Sequence, residues 1–215
     1  VIFLHGWGGD ASAFLFAAKR VKCRATLVDF YGFGRSPEPD APLTVPDYAA
    51  AVLDVMDKEG IKSAVMVGHS FGGRVALELA AKYPERIELL VLVDSAGLRP
   101  RRGLRYYLKV FTHKILKRFG KGLSGSADYR ALSPLMKRTF INVVNYNQAY
   151  LLKKIKAETA IIWGTHDKVT PWYMAKKFKR KISGSYLFPL TNAGHFSYLD
   201  NSAAFVKILS ALVGG

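Results

Sequence analysis

The sequence predicts an α/β protein: a mostly parallel sheet covered by helices on both faces, with a helical insertion near the middle of the chain. Strands and helices alternate along nearly its whole length, which implies parallel pairing and crossover helices on both sides of the sheet. Residues 63–73 hold a strand, a sharp turn and a helix in immediate succession. Half of the 215 residues are hydrophobic, enough for a sizeable core in one domain.

The elements follow in order. A β-like apolar run, residues 1–4, meets a glycine-rich turn (His5-Gly6-Trp7-Gly8-Gly9). A helix near 11–20, a strand over 25–29 and a helix over 46–59 come next. The strand 64–67 leads through Gly68-His69-Ser70-Phe71-Gly72 into a helix over 71–82, which Tyr83-Pro84 ends. A strand over 87–93 precedes the insertion, residues 98–150. A strand over 159–163, a helix over 171–180, a strand over 185–189 and a helix over 202–213 complete the chain. The expected division is a core of residues 1–97 and 151–215 with a helical cap, or lid, of residues 98–150.

Within the insertion, Leu104, Tyr107, Leu108, Phe111, Ile115 and Phe119 fall on one helical face, with Arg105, Lys109, Lys114, Lys117 and Arg118 mainly elsewhere. This is a basic amphipathic helix. A second helical stretch spans Leu132–Asn145. Gly120, Gly122, Ser124, Gly125 and Ser126 lie between them, as a joint in a moving lid would.

The chemistry is read at the turns. A serine between glycines two before and two after it, at a tight strand-to-helix turn, is held in a strained conformation with its hydroxyl above the sheet. The following helix aims its N-terminus at that hydroxyl. Such a serine needs a base, and the base an orienting carboxylate. Of the five histidines, His195 lies in a loop between a strand and the last helix, at the carboxyl edge of the sheet where open α/β folds bind ligands. Asp167, in the loop leaving the strand 160–164, is the favoured acid, on the Ser–Asp–His order such sites use. Asp94, at the end of the run Leu89–Val93, has the same placement one strand earlier and is the alternative. The backbone N–H groups of Trp7 and Phe71 are the candidate donors to a substrate oxyanion.

Five motifs stand in order along the chain: His-Gly-Trp-Gly-Gly, Asp29-Phe30-Tyr31-Gly32-Phe33-Gly34-Arg35-Ser36, Gly-His-Ser-Phe-Gly-Gly, Trp-Gly-Thr-His-Asp and Asn-Ala-Gly-His-Phe. Together they resemble the α/β-hydrolase superfamily, in its small-cap branch of esterases, haloperoxidase-like proteins and C–C hydrolases. The resemblance is weakest over residues 98–150. It implies Ser70 as nucleophile, Asp167 as acid, His195 as base, and Trp7 and Phe71 as oxyanion donors. It also implies two further strands ahead of Val1. A serine at the elbow disfavours dehalogenase and epoxide-hydrolase chemistry, which use an aspartate there.

The expected function is hydrolysis of a small or medium acyl ester through an acyl-enzyme, with a small-molecule acyl substrate as partner. Thioester, lactone or C–C cleavage would use the same triad. The alternatives are a non-hydrolytic ligand sensor or partner-binding protein on the same fold, and a membrane-surface lipase or lysophospholipase recruited by the basic cap.

The sequence asks for no cofactor, and its histidines are too scattered for a metal site. Cys23 stands alone, so no internal disulfide forms; this fits a reducing compartment, and a cytoplasmic location is expected. The net charge of +16 is uneven: residues 99–138 hold 12 Lys/Arg against one acid, Asp128, and residues 151–181 hold nine against two. The basic runs carry no nucleic-acid-binding motif.

Overall fold

The computed structural model describes residues 1–100 and 130–214. Among the described residues six strands form one sheet: β1 (Ile2–Leu4), β2 (Thr26–Val28), β3 (Ala64–His69), β4 (Ile87–Val93), β5 (Glu158–Gly164) and β6 (Ser185–Leu190). All neighbours pair in parallel, in the order β2-β1-β3-β4-β5-β6. The chain winds one way from β1 to β2 and the other way from β3 onward. The carboxyl ends of β1 and β3 therefore flank a topological switch point, where a crevice opens.

Successive side chains of each strand serve opposite faces. Ile2 and Leu4, Met66, Leu90 and Leu92, and Ile161 and Trp163 enter one core, against α2 (Val45–Lys58), α3 (Phe71–Lys82) and α5 (Trp172–Lys181). Phe3, Val67, Val91 and Val93, and Ala160 and Ile162 enter the other, against α1 (Leu15–Ala18) and α7 (Ser202–Val213). With both faces covered, the middle of each central strand is an unbroken apolar run, Leu89–Val93 in β4 and Ala160–Trp163 in β5.

The helices begin where local chemistry starts them. Thr44 and Asp47 form a capping box ahead of α2, whose Tyr48, Ala49, Val52 and Met56 are buried along one stripe. α4 (Pro134–Asn145) starts at Ser133, whose hydroxyl accepts from the Met136 N–H. It lies against the loop that leaves β2: Thr139 Oγ1 accepts from Leu43 N–H at 3.0 Å, and Asn142 Nδ2 donates to the Leu43 carbonyl at 3.2 Å.

Two elements differ from expectation. The helix near 11–20 is a 3₁₀ turn, Ala11–Phe14, followed by the single α-turn of α1. Phe14 and Ala17 are its only fully buried anchors, too few to hold a longer helix on the sheet. One short helix, α6 (Ser197–Asp200), has no counterpart in the sequence reading, because a single turn shows no periodicity. The predicted basic helix over 104–119 lies outside the described residues. No helix among the described residues is long and apolar enough to cross a membrane.

Candidate active site

The site is built on the turn from β3 into α3. Ser70 sits at φ 49°, ψ −105°, a left-handed conformation that non-glycine residues rarely adopt. Its N–H donates to the Val93 carbonyl at 3.0 Å, and its carbonyl accepts from Ala96 N–H at 3.0 Å, so β4 and the loop after it hold the strained residue in place. The flanking glycines permit the turn: a Cβ on Gly68 would meet the Gly72 carbonyl at 2.6 Å, and one on Gly72 would collide with the Leu4 carbonyl oxygen. Serine is a favoured N-cap residue, yet this hydroxyl makes no cap hydrogen bond to α3. It lies 3.0 Å from His195 Nε2 instead.

His195 comes from the loop after β6 and Asp167 from the loop after β5. His195 Nδ1 lies 2.9 Å from Asp167 Oδ2. The tautomer with Nδ1 protonated donates to Asp167 and leaves Nε2 to accept from the serine hydroxyl. Asp167 is buried, which pushes its carboxyl up, but hydrogen bonds from His195 and Thr170 outweigh burial and hold it below the usual carboxylate value. Its Oδ1 accepts from Val169 N–H at 2.7 Å and Thr170 N–H at 2.9 Å, and its Oδ2 from the Thr170 hydroxyl at 2.6 Å.

The alternative acid, Asp94, is placed elsewhere. Its Oδ1 accepts from Gly164 N–H at 2.8 Å and its Oδ2 from Ser197 N–H at 3.2 Å. It ties the end of β4 to β5 and α6, and no hydrogen bond joins it to His195. Burial drives its pKa up to about 7.

His69 completes the support. It is fully buried and its pKa is driven down to about 3, chiefly by burial and then by the neighbouring His195, so it is neutral. Its Nε2–H donates to the His195 carbonyl at 2.8 Å. His5 bonds through Nδ1 to the Gly6 carbonyl and through Nε2 to Phe30 N–H, which makes it a clasp between β1 and the loop after β2. His166 is exposed, and His113 lies outside the described residues.

Trp7 and Phe71 meet in front of Ser70, ring centroids 5.3 Å apart. Phe71 opens α3, so its N–H has no partner within the helix. Neither backbone N–H bonds to another described residue. Both residues line, with Ser70 and His195, a cavity of about 620 Å³, and α4 contributes Phe140 and Val143 to its wall. Among the described residues no group of three or more His, Cys, Asp or Glu is arranged to hold a metal ion.

The structure thus brings Ser70, His195, Trp7 and Phe71 to one cavity, with Asp167 behind His195. Arg74 also lines the cavity, its Nη1 donating to the Tyr146 carbonyl at 2.6 Å; it, Thr170 and His69 are the residues of the site to which sequence reading assigns no part. Thr170 had a signal: Ser or Thr three residues after an Asp that turns back on its own backbone. His69 and Arg74 had none, since their partners lie 126 and 72 residues away.

A parallel sheet with a strained serine at its switch point, faced by a histidine–carboxylate pair, defines the hydrolase class of α/β proteins. The chain belongs to the alpha/beta hydrolase family, whose model matches residues 1–208. It is 24% identical over 242 residues to a 2-hydroxy-6-oxononadienedioate/2-hydroxy-6-oxononatrienedioate hydrolase of Pseudomonas, covering 97% of this chain and 86% of that one. Among solved structures it is similar to an esterase of Exiguobacterium antarcticum (TM-score 0.78, 22% identity, 100% of this chain and 91% of that chain). It is also similar to a bacterial membrane phospholipase A (TM-score 0.81, 21% identity, 100% and 78%).

Proposed function

We propose that the chain is a serine hydrolase that cleaves a small or medium acyl ester through an acyl-enzyme on Ser70. The observation that carries the reading is the continuous relay from Ser70 Oγ to His195 Nε2 (3.0 Å) and from His195 Nδ1 to Asp167 Oδ2 (2.9 Å). In this reading His195 takes the serine proton as Ser70 attacks the ester carbonyl. The N–H groups of Trp7 and Phe71 stabilise the tetrahedral oxyanion. The imidazolium then protonates the leaving alcohol, and water hydrolyses the acyl-enzyme by the same route. Asp167 holds the imidazole tautomer and stabilises its charged form; Thr170 and His69 hold Asp167 and His195. Residues 98–150 act as the cap, with α4 over the cavity.

Cleavage of a dienedioate, the substrate named for the Pseudomonas relative, is a second reading that the same residues serve, supported by a likeness that runs along 97% of this chain. Turnover of a panel of acetate to octanoate esters beside Ser70→Ala tests the proposal. Ester hydrolysis that vanishes in a folded Ser70→Ala variant is the expected result; full activity in that variant would refute it.

A further inference from the structure

Arg74 is the one residue of permanent charge among the described residues that line the cavity, and the triad chemistry leaves it without a role. It lies one helical turn after Ser70 on α3, its N–H 3.3 Å from the Ser70 carbonyl. Both Ser70 and Arg74 line the cavity. The side chain is buried, 8% exposed.

A guanidinium has five N–H donors and, when buried, calls for a carboxylate or phosphate. Here Nη1 donates to the Tyr146 carbonyl at 2.6 Å, and no described carboxylate lies within ion-pairing distance. The acid one turn further on, Glu78, is engaged by Lys82 at 2.6 Å and by the Tyr146 hydroxyl at 3.1 Å. Burial lowers the Arg74 pKa to about 10, so the group stays charged at neutral pH. Trp7, Phe71, Val143, Met174 and Phe196 make the surrounding wall largely apolar. An unpaired cation there is a strong attractor for an anionic ligand group, because little water competes for it.

We propose that Arg74 is an anion-recognition residue of the substrate site, and that the preferred substrates are esters bearing a free carboxylate on the acyl chain. This rests on the reading of the protein as a serine ester hydrolase. The net charge of +16 acts in the same sense, drawing anions toward the molecule.

The test compares monoethyl adipate with ethyl heptanoate, a neutral ester of similar shape, in the wild type, Arg74→Gln and Arg74→Lys. The wild type should prefer the charged ester. The ratio of the two kcat/KM values should fall roughly 10- to 100-fold in Arg74→Gln, through KM, and recover in part in Arg74→Lys. If Arg74 only anchors the Tyr146 carbonyl, both esters slow together and the ratio stays put. An unchanged ratio, or no preference in the wild type, would overturn the proposal and leave the hydrolase reading intact. If neither ester is cleaved, it is the hydrolase reading that fails. Protection of Ser70 from a fluorophosphonate probe then reads the subsite directly. Protection by adipate but not by 1,6-hexanediol, weakened at least tenfold in Arg74→Gln, supports it, and equal protection by the two overturns it.

Discussion

The proposed chemistry turns on how a few side chains are denied their ordinary partners. Ser70 stands at an N-cap position but caps nothing, so its hydroxyl is left to His195. Asp167 and Asp94 are both buried carboxylates near the sheet edge, and their partners separate them. Asp167 faces the imidazole and is held ionised, whereas Asp94 staples backbone N–H groups and is driven toward its neutral form. Asp167→Asn should therefore lower kcat on the order of 10,000-fold while substrate binding persists. Asp94→Asn should chiefly lower the unfolding midpoint. A larger kcat loss in Asp94→Asn would reverse the acid assignment. At this scale the sequence is legible where chemistry coincides with a strand end. Ser70, Asp167 and His195 each sit just past an apolar run, and that position is what singles them out. Arg74 is not legible: a charge in a helical pattern reads as a solvated face, and only the fold buries it.

The elbow shows how an element is fixed by backbone proximity rather than by propensity. α3 is buried from Phe71 to Ala80 and approaches β1 so closely that Gly72 has no room for a side chain. Gly72→Ala should destabilise the protein by about 1–3 kcal/mol and slow labelling of Ser70 as Phe71 is displaced. Denaturant titration and probe kinetics would check both effects; an unaltered midpoint would show that β1 yields easily. The strands β3 to β6 and the helices α2, α3, α5 and α7 are legible because each spans several periods of its pattern. The segment 11–18 and the helix Ser197–Asp200 are too short for that, and tertiary hydrogen bonds decide them. Ser197 N–H donates to Asp94, and Gly194 N–H to Asp200.

Across the whole molecule, the basic excess is concentrated rather than spread. Part of it has a local reason: Lys179, Arg180 and Lys181 occupy the last turn of α5, where cations complement the helix dipole. The rest leaves the folded chain under like-charge repulsion, which ions screen. Raising NaCl from low to roughly physiological ionic strength (~0.15 M) should raise the melting temperature by about 2–4 °C. A flat or falling dependence in differential scanning fluorimetry would show that the charges are already compensated.

The proposed hydrolysis requires Ser70 to be an activated nucleophile in an assembled site. Intact mass after fluorophosphonate treatment, for the protein and its Ser70→Ala variant, tests that most directly. One adduct on the protein and none on the variant is the expected result. No adduct on the folded protein, or an equal adduct on both, would contradict it and favour a ligand-sensing role for the same fold.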